Sequence, residues 1–407
     1  VGVGGKSSSN NDENMYQFTM GSGIDVSSEY PEGRYLAMKV LGSGTYGKVL
    51  LCGDAKYKGT GVAIKLVRRD SAPYRKAAKM EAKILRALEG RHGTLKLLRC
   101  FEHGGHPCMS FELLGSALSE VLKVRSQNFQ AGGQGATPVG FSDTQIRDVG
   151  WQLLNAVAYL HSRGIVHTDV KTDNILLAHG CDWKTAESTH TLRVKLVDFG
   201  SALWESDWHP NLVGTMQYRP PEAVLQAGWS FPLDTWAVGC VLCELVRGSK
   251  LFPLAHNDVH MHMIERLLGP LPQLILSRGA ANMNQYNREL IKQGAGGVGW
   301  VLRDARRDGH SMIRDVVPLP ELLKKHPELY RVVNRMLHLT DTHRITPSEA
   351  LQQPYFQSST SATNAHTAKG ASSSSSSSGN ASGAHTVRHE PEAEIQYDDV
   401  FDTPAWA

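Results

Sequence analysis

No apolar run in the 407-residue chain approaches the roughly eighteen residues that a membrane-spanning helix requires. Net charge is also scarce: at +3 the chain is nearly balanced, which gives no bulk electrostatic pull toward nucleic acid or a membrane surface. Neither is therefore expected as a direct partner. Cysteine is sparse too. The six thiols, Cys52, Cys100, Cys108, Cys181, Cys240 and Cys243, form no dense framework, which points to a reducing compartment. Cys240-x-x-Cys243 lacks a second ligand pair, so two small apolar residues in a buried helix are expected there rather than a zinc or redox centre. The chain opens on Val rather than Met, so a fragment is expected, and a targeting segment ahead of it stays open. What is present is 41% hydrophobic residues, enough for a sizeable core, and length for two lobes with tails.

Residues 1 to about 30 are rich in Gly, Ser and Asn without periodicity and are expected to be disordered. Short β-type runs follow: Leu36 to Leu41, Val49 to Cys52 and Val62 to Leu66. One helical stretch interrupts them from about Tyr74 to Leu88, with Ala77, Met80, Ile84, Leu85 and Leu88 at helical spacing. Residues 126–141 read as an inserted loop. Ser142 is then placed to cap a long amphipathic helix reaching about Arg163, with Ile146, Val149, Leu153, Ala156, Val157 and Leu160 on its apolar face. After Pro221 helix dominates. Residues 357–407 read as a tail, first serine-rich, with seven consecutive serines at Ser372–Ser378, then acidic. The acidic end interleaves Glu390, Glu392, Glu394, Asp398, Asp399 and Asp402 with Ile395, Tyr397, Val400, Phe401 and Trp406. A docking segment is one reading of it, and a solvated acidic tail is the reading preferred.

Four motifs occur in a fixed order. Gly42-Ser43-Gly44-Thr45-Tyr46-Gly47 joins two β-type runs, a hairpin whose glycines let backbone approach phosphates. A dinucleotide-binding turn would be followed by a helix, and here a strand follows. Lys65, in Val62-Ala63-Ile64-Lys65, can pair with Glu81 on the next helix and aim its ammonium at the α- and β-phosphates. In His167-Thr168-Asp169-Val170-Lys171-Thr172-Asp173-Asn174, Asp169 is placed to accept a hydroxyl proton, Lys171 to neutralise a transferring phosphoryl group, and Asn174 to hold a cation. Asp198-Phe199-Gly200 adds a second oxygen ligand, and hard Mg²⁺ suits Asp and Asn. Together these parts would move the γ-phosphoryl group of ATP onto a hydroxyl. Four later features agree. Pro220-Pro221-Glu222 would close the segment that starts at Asp198, and Arg344 could pair with Glu222. Thr215 would hydrogen-bond Asp169 and Lys171, and Asp234 would brace the catalytic loop backbone from a buried helix.

This pattern resembles the protein kinases over residues 35–356, and within them the LAMMER (CDC-like) family of the CMGC group. The resemblance rests on Phe111-Glu112-Leu113-Leu114-Gly115, on Thr168 between His167 and Asp169, on Val197 to Ala202, and on Glu265-Arg266 with its flanking Leu268-Gly269-Pro270. It implies a two-lobed α+β fold. The small lobe would be an antiparallel sheet with one helix over residues 35–114, followed by a mainly helical lobe over 115–356, with ATP and Mg²⁺ in the cleft between them. It further implies that Phe111 is the gatekeeper, that the backbone at Glu112 and Leu114 binds adenine, and that Leu41, Val49, Ala63 and Leu176 belong to the ATP site. Residues 178–193 would match the family's extra hairpin. The implied activity is phosphorylation of Ser/Thr in Arg/Ser-rich splicing factors, with tyrosine autophosphorylation, by a monomer in the nucleus or cytoplasm.

The chain also departs from the family. Thr168 removes an arginine that in many kinases holds a phosphorylated activation-segment residue, so activity independent of that phosphorylation is expected. Met216 stands where the family usually has Arg, and Thr172-Asp173 stands where it has Pro-Glu. Two alternatives compete. A dual-specificity tyrosine-regulated kinase would carry Tyr-x-Tyr, but Ser201 to Val213 contains no tyrosine. A scaffolding pseudokinase would lack residues of the Lys65, Asp169 or Asp198 type, and all three are present.

Overall fold

The computed structural model describes residues 15–44, 46–69, 72–130, 139–181, 183–184 and 192–357. The sequence readings for residues 1–14, Thr45, 131–138, the missing part of the expected 178–193 hairpin and everything beyond 357 lie outside them.

Six strands form the small lobe: β1 (Gly23–Ile24), β2 (Tyr35–Gly44), β3 (Gly47–Asp54), β4 (Thr60–Val67), β5 (Leu97–His103) and β6 (His106–Glu112). They pair antiparallel in the order β1-β2-β3-β4-β6-β5. Helix α1 (Ala72–Leu88) lies between β4 and β5 and buries Ala78, Glu81, Ala82, Ile84, Leu85 and Leu88. Its buried stripe thus includes a carboxylate at a position the apolar pattern passes over. A separate cluster of Ile24, Tyr35, Ala37, Leu50, Cys52, Val62, Ile64 and Phe101 gives the sheet its own core.

Two expectations are corrected here. Residues 15–30 are part of the fold: Ile24 is fully buried, Tyr16 and Phe18 pack on the sheet cluster, and Lys48 Nζ donates to the Tyr16 carbonyl at 2.7 Å. The polar composition hid a few apolar anchors, and those suffice to tie a short strand to an existing sheet edge. Similarly, the first residues of the expected 126–141 loop continue helix α2 (Leu118–Gln130). Beyond the undescribed stretch, Phe141 is buried and Arg125 donates to the Val139 and Gly140 carbonyls.

Helix α3 (Asp143–Ser162) matches its reading closely. Ser142 accepts from the Gln145 amide while the Gln145 side chain accepts from the Ser142 amide, a reciprocal cap. All six expected apolar positions of α3 are buried. The helix Pro232–Arg247 is buried over nearly its whole length, and Gly248, at φ 81°, closes it by donating to the Glu244 carbonyl. Cys240 and Cys243 lie fully buried inside it, and burial pushes the Cys243 thiol up to about 12. No cluster of metal-ligating side chains surrounds them among the described residues. The two lobes meet at the segment after β6, where the Gly115 amide donates to the Leu177 carbonyl.

Candidate active site

A cleft of about 990 Å³ opens between the lobes. Every residue assigned from sequence to nucleotide or metal lines it: Leu41, Gly42, Gly44, Gly47, Val49, Ala63, Lys65, Glu81, Phe111, Glu112, Leu114, Asn174, Leu176 and Asp198. Tyr46, Leu95 and Val197 also line it and were not singled out.

The glycines of the hairpin serve two different purposes. A side chain at Gly42 or Gly44 would meet nothing within 4 Å, so both face open space above the cleft. Gly47 has φ 152°, and a Cβ there would fall 2.0 Å from the Leu66 carbonyl oxygen. It is required by the close approach of β3 to β4 rather than by phosphate.

Lys65 on β4 donates to both carboxylate oxygens of Glu81 on α1, at 2.8 and 2.7 Å. Its ammonium also lies 3.9 Å from Asp198. Burial alone would lower the lysine pKa, but Glu81 and then Asp198 outweigh it and hold Lys65 above its ordinary value. The pair is thus a charged ammonium fixed at the back of the cleft.

The catalytic loop is held from below by one carboxylate. Asp234 accepts from the His167 amide at 2.8 Å, the Thr168 amide at 2.9 Å and His161 Nε2 at 3.0 Å. Thr168 sits at φ 70°, a turn that presents both amides to Asp234. Its hydroxyl donates to the Ser201 carbonyl at 3.0 Å, tying the loop to the segment after Asp198. The His167 ring packs edge-on against the buried Phe199, with 4.9 Å between centroids.

Asp169, Lys171 and Thr215 converge beside the cleft. Asp169 Oδ1 accepts from the Thr215 hydroxyl at 2.7 Å and its amide at 3.0 Å. Asp169 Oδ2 accepts from Lys171 Nζ at 2.7 Å, and Lys171 also donates to Thr215 Oγ1 at 2.9 Å. Burial would raise the Asp169 carboxyl, but the Lys171 and Thr215 hydrogen bonds prevail and hold it below its ordinary value.

Asn174 Nδ2 donates to the Asp169 carbonyl at 2.9 Å, which turns its amide oxygen away from the loop. Asp198 adopts φ 60° and leaves its side chain 53% exposed toward the cleft. An amide oxygen and a half-exposed carboxylate fit a hard divalent cation whose remaining ligands come from phosphate and water.

At the hinge, the Glu112 carboxylate is engaged by Lys195 Nζ at 2.6 and 2.7 Å and by the Lys96 amide at 2.7 Å. The Glu112 amide donates to the Lys96 carbonyl, so that amide is already engaged. Sequence reasoning did not foresee these contacts, because Lys195 lies 83 residues away.

The segment from Asp198 to Glu222 is fixed at both ends. Leu203–Trp204 pairs with Ile165–Val166. Arg219 donates to the Val213 and Gly214 carbonyls, and Trp229 Nε1 donates to the Pro210 carbonyl. Glu222 and Arg344 form the expected pair, bidentate at 2.6 and 3.0 Å and fully buried.

Comparison with known proteins agrees with this geometry. The sequence profile of the protein kinase domain matches residues 35–356. The chain is similar to serine/threonine-protein kinase AFC2 of Arabidopsis thaliana, at 33% identity over 79% of this chain and 77% of that protein. It is also similar to dual specificity protein kinase CLK4 of Homo sapiens, at 32% identity over 82% of this chain and 68% of that protein. A kinase-domain crystal structure superposes with a TM-score of 0.70 at 25% identity, covering 84% of this chain and 99% of that one. The chain belongs to the protein kinase family and so uses ATP and a divalent metal to phosphorylate protein substrates. Within it, the chain is a LAMMER (CDC-like) kinase of the CMGC group, of serine/threonine or dual specificity.

Proposed function

We propose that this kinase transfers the γ-phosphoryl group of Mg²⁺-bound ATP to serine or threonine in Arg/Ser-rich proteins of the splicing-factor class. The observation that carries the reading is the convergence of Asp169, Lys171, Thr215 and Asn174, beside a cleft lined by Lys65, Glu81 and Asp198.

Asn174 and Asp198 would hold Mg²⁺, which would supply charge neutralisation for the phosphates of ATP. Gly42 and Gly44 offer backbone to the phosphates, and Lys65 pairs with their α- and β-oxygens. The Glu112 carbonyl and the Leu114 backbone hold the adenine edge. Leu41, Val49, Ala63 and Leu176 supply apolar contact with the base, and Phe111 closes the back. Asp169 receives the acceptor hydroxyl on a carboxylate already fixed by Thr215 and Lys171. A carboxyl held below its ordinary value is a weak base, so its first task is orientation. It takes the proton late, as the new bond to phosphorus forms. Lys171 offsets charge on the transferring group.

The exposed Glu120 carboxylate that lines the cleft suits a basic substrate. The chain acts as a monomer, in the nucleus or cytoplasm. A positional-scanning peptide assay with ATP and Mg²⁺ tests the substrate class: arginine enriched around the acceptor serine is expected, and indifference to arginine at every position would reject it.

A further inference from the structure

Next to the catalytic loop lies a polar cluster that none of the assigned roles uses. Thr172 Oγ1 donates to Glu244 Oε1 at 2.9 Å, and the Tyr218 hydroxyl donates to Glu244 Oε2. Glu244 is buried on the helix Pro232–Arg247, and burial pushes its carboxyl above the usual range despite those two donors. Asp173 is different. It lines the cleft, its side chain is 48% exposed, and it sits between Lys171 and Asn174. Into this notch reaches Lys250, from the turn after the helix. Its Nζ donates to Asp173 Oδ2 at 2.8 Å and to the Tyr218 hydroxyl at 3.0 Å, and lies 3.9 Å from Glu244 Oε1. The ammonium also stands over the Tyr218 ring, 5.1 Å from its centroid.

We propose that Lys250 is a specificity-determining residue: its ammonium occupies the Asp173 notch in place of a basic side chain of the substrate, so the kinase does not select arginine at the substrate position that passes there. The inference rests on the proposed peptide-kinase reading and refines it. Three observations support it. Asp173 is an accessible carboxylate lining the cleft, four residues past Asp169. Tyr218, which Lys250 also binds, lies three residues past Thr215 in the segment that ends at Glu222, so a peptide laid along that segment passes the notch. Lys250 satisfies Asp173 from within the chain, with a flexible four-carbon stem that a competing guanidinium would have to displace. A guanidinium entering the notch meets an ammonium already bound to Asp173 Oδ2, so the carboxylate's charge is offset before it arrives.

The test compares the parent kinase with Lys250→Met and Lys250→Gln, using serine peptides that carry arginine or alanine at each flanking position in turn. Removing the ammonium should raise the arginine-over-alanine ratio of kcat/KM about tenfold at one position, the size of a charge-assisted hydrogen bond to a carboxylate that has lost its ammonium partner. Lys250→Arg, which keeps the charge, should leave the parent profile unchanged. Adding Asp173→Asn to Lys250→Met should cancel the gain. Lys250→Gln carries the test if the Met variant does not fold. Identical arginine profiles for the parent and both neutral variants would overturn the proposal while leaving the kinase reading intact. A parent enzyme that phosphorylates none of the peptides would instead reject the substrate reading beneath it.

Discussion

Asp169 is surrounded by donors, and the identity of each donor sets what the carboxylate can do. Its carboxyl is held below the ordinary range chiefly by Lys171 and Thr215, against burial. The charged form is both the folded-state partner of Lys171 and the active form. Its contribution is therefore present above the ordinary carboxylate range and lost only as pH falls through the depressed value. Thr215→Ala deletes the 2.7 Å hydroxyl donor and leaves the amide. The carboxyl should then rise toward its ordinary value, and the acid limb of the kcat profile should move to higher pH. The rate should drop about ten- to a hundredfold, the range of a hydrogen bond to a charged group. Thr215→Ser should restore both, and an unmoved acid limb in Thr215→Ala would contradict the assignment. Lys65→Met should lower phosphoryl transfer on the order of 10²–10³-fold, as loss of a preorganised charge partner does.

These residues were legible because the chemistry demands a short spacing. Asp169, Lys171 and Asn174 share one loop, and only certain residue types can fill those places. The glycine hairpin was legible as a motif but not in its reasons, since the need for Gly47 comes from Leu66 on the neighbouring strand. Glu112 and Lys195, or Tyr218 and Glu244, join parts of the chain 83 and 26 residues apart, and nothing local marks such pairs. Thr172 looked like a neutral exchange for proline, yet its hydroxyl bonds a buried carboxylate.

Among elements, the activation segment is the informative one. Thr168 uses its hydroxyl on the Ser201 carbonyl, and Arg219, Trp229 and a strand pair hold the rest. None of these contacts needs a phosphate. Treatment with a phosphatase, checked by mass spectrometry, should leave the specific activity unchanged, and abolition of activity would refute this. The end of the segment is pinned differently. Arg344 and Glu222 form a fully buried bidentate pair, so Arg344→Ala strands a carboxylate in the core and should cost about 3–5 kcal/mol, read as a lower Tm. The stretch around Glu265-Arg266 has structural roles too. Glu265 accepts from the Leu271 amide at 3.0 Å and closes the turn after the helix Asn257–Leu268. His260 is buried beneath the activation segment, where it bonds the Arg219 carbonyl and burial lowers it to about 4. The glutamate closes a turn and the histidine props a loop.

At the scale of the molecule, the two lobes were implied by the family resemblance carried by the motifs, and the family match spans the same residues 35–356. The ends were harder. Composition concealed the strap of residues 15–30, because three apolar side chains in a polar stretch are a weak signal until a sheet edge receives them. Deleting the chain up to Pro31 should lower Tm by several degrees, since it exposes the Ile24 site on the sheet core. The central claim is that the cleft transfers phosphate through a metal held by Asp198 and Asn174. The most direct measurement follows label from γ-labelled ATP to a serine peptide, with Mg²⁺ or with chelator, for the parent and for Asp198→Ala, alongside nucleotide binding. The account predicts Mg²⁺-dependent transfer by the parent and its loss in a folded Asp198→Ala. Undiminished transfer by Asp198→Ala would contradict it.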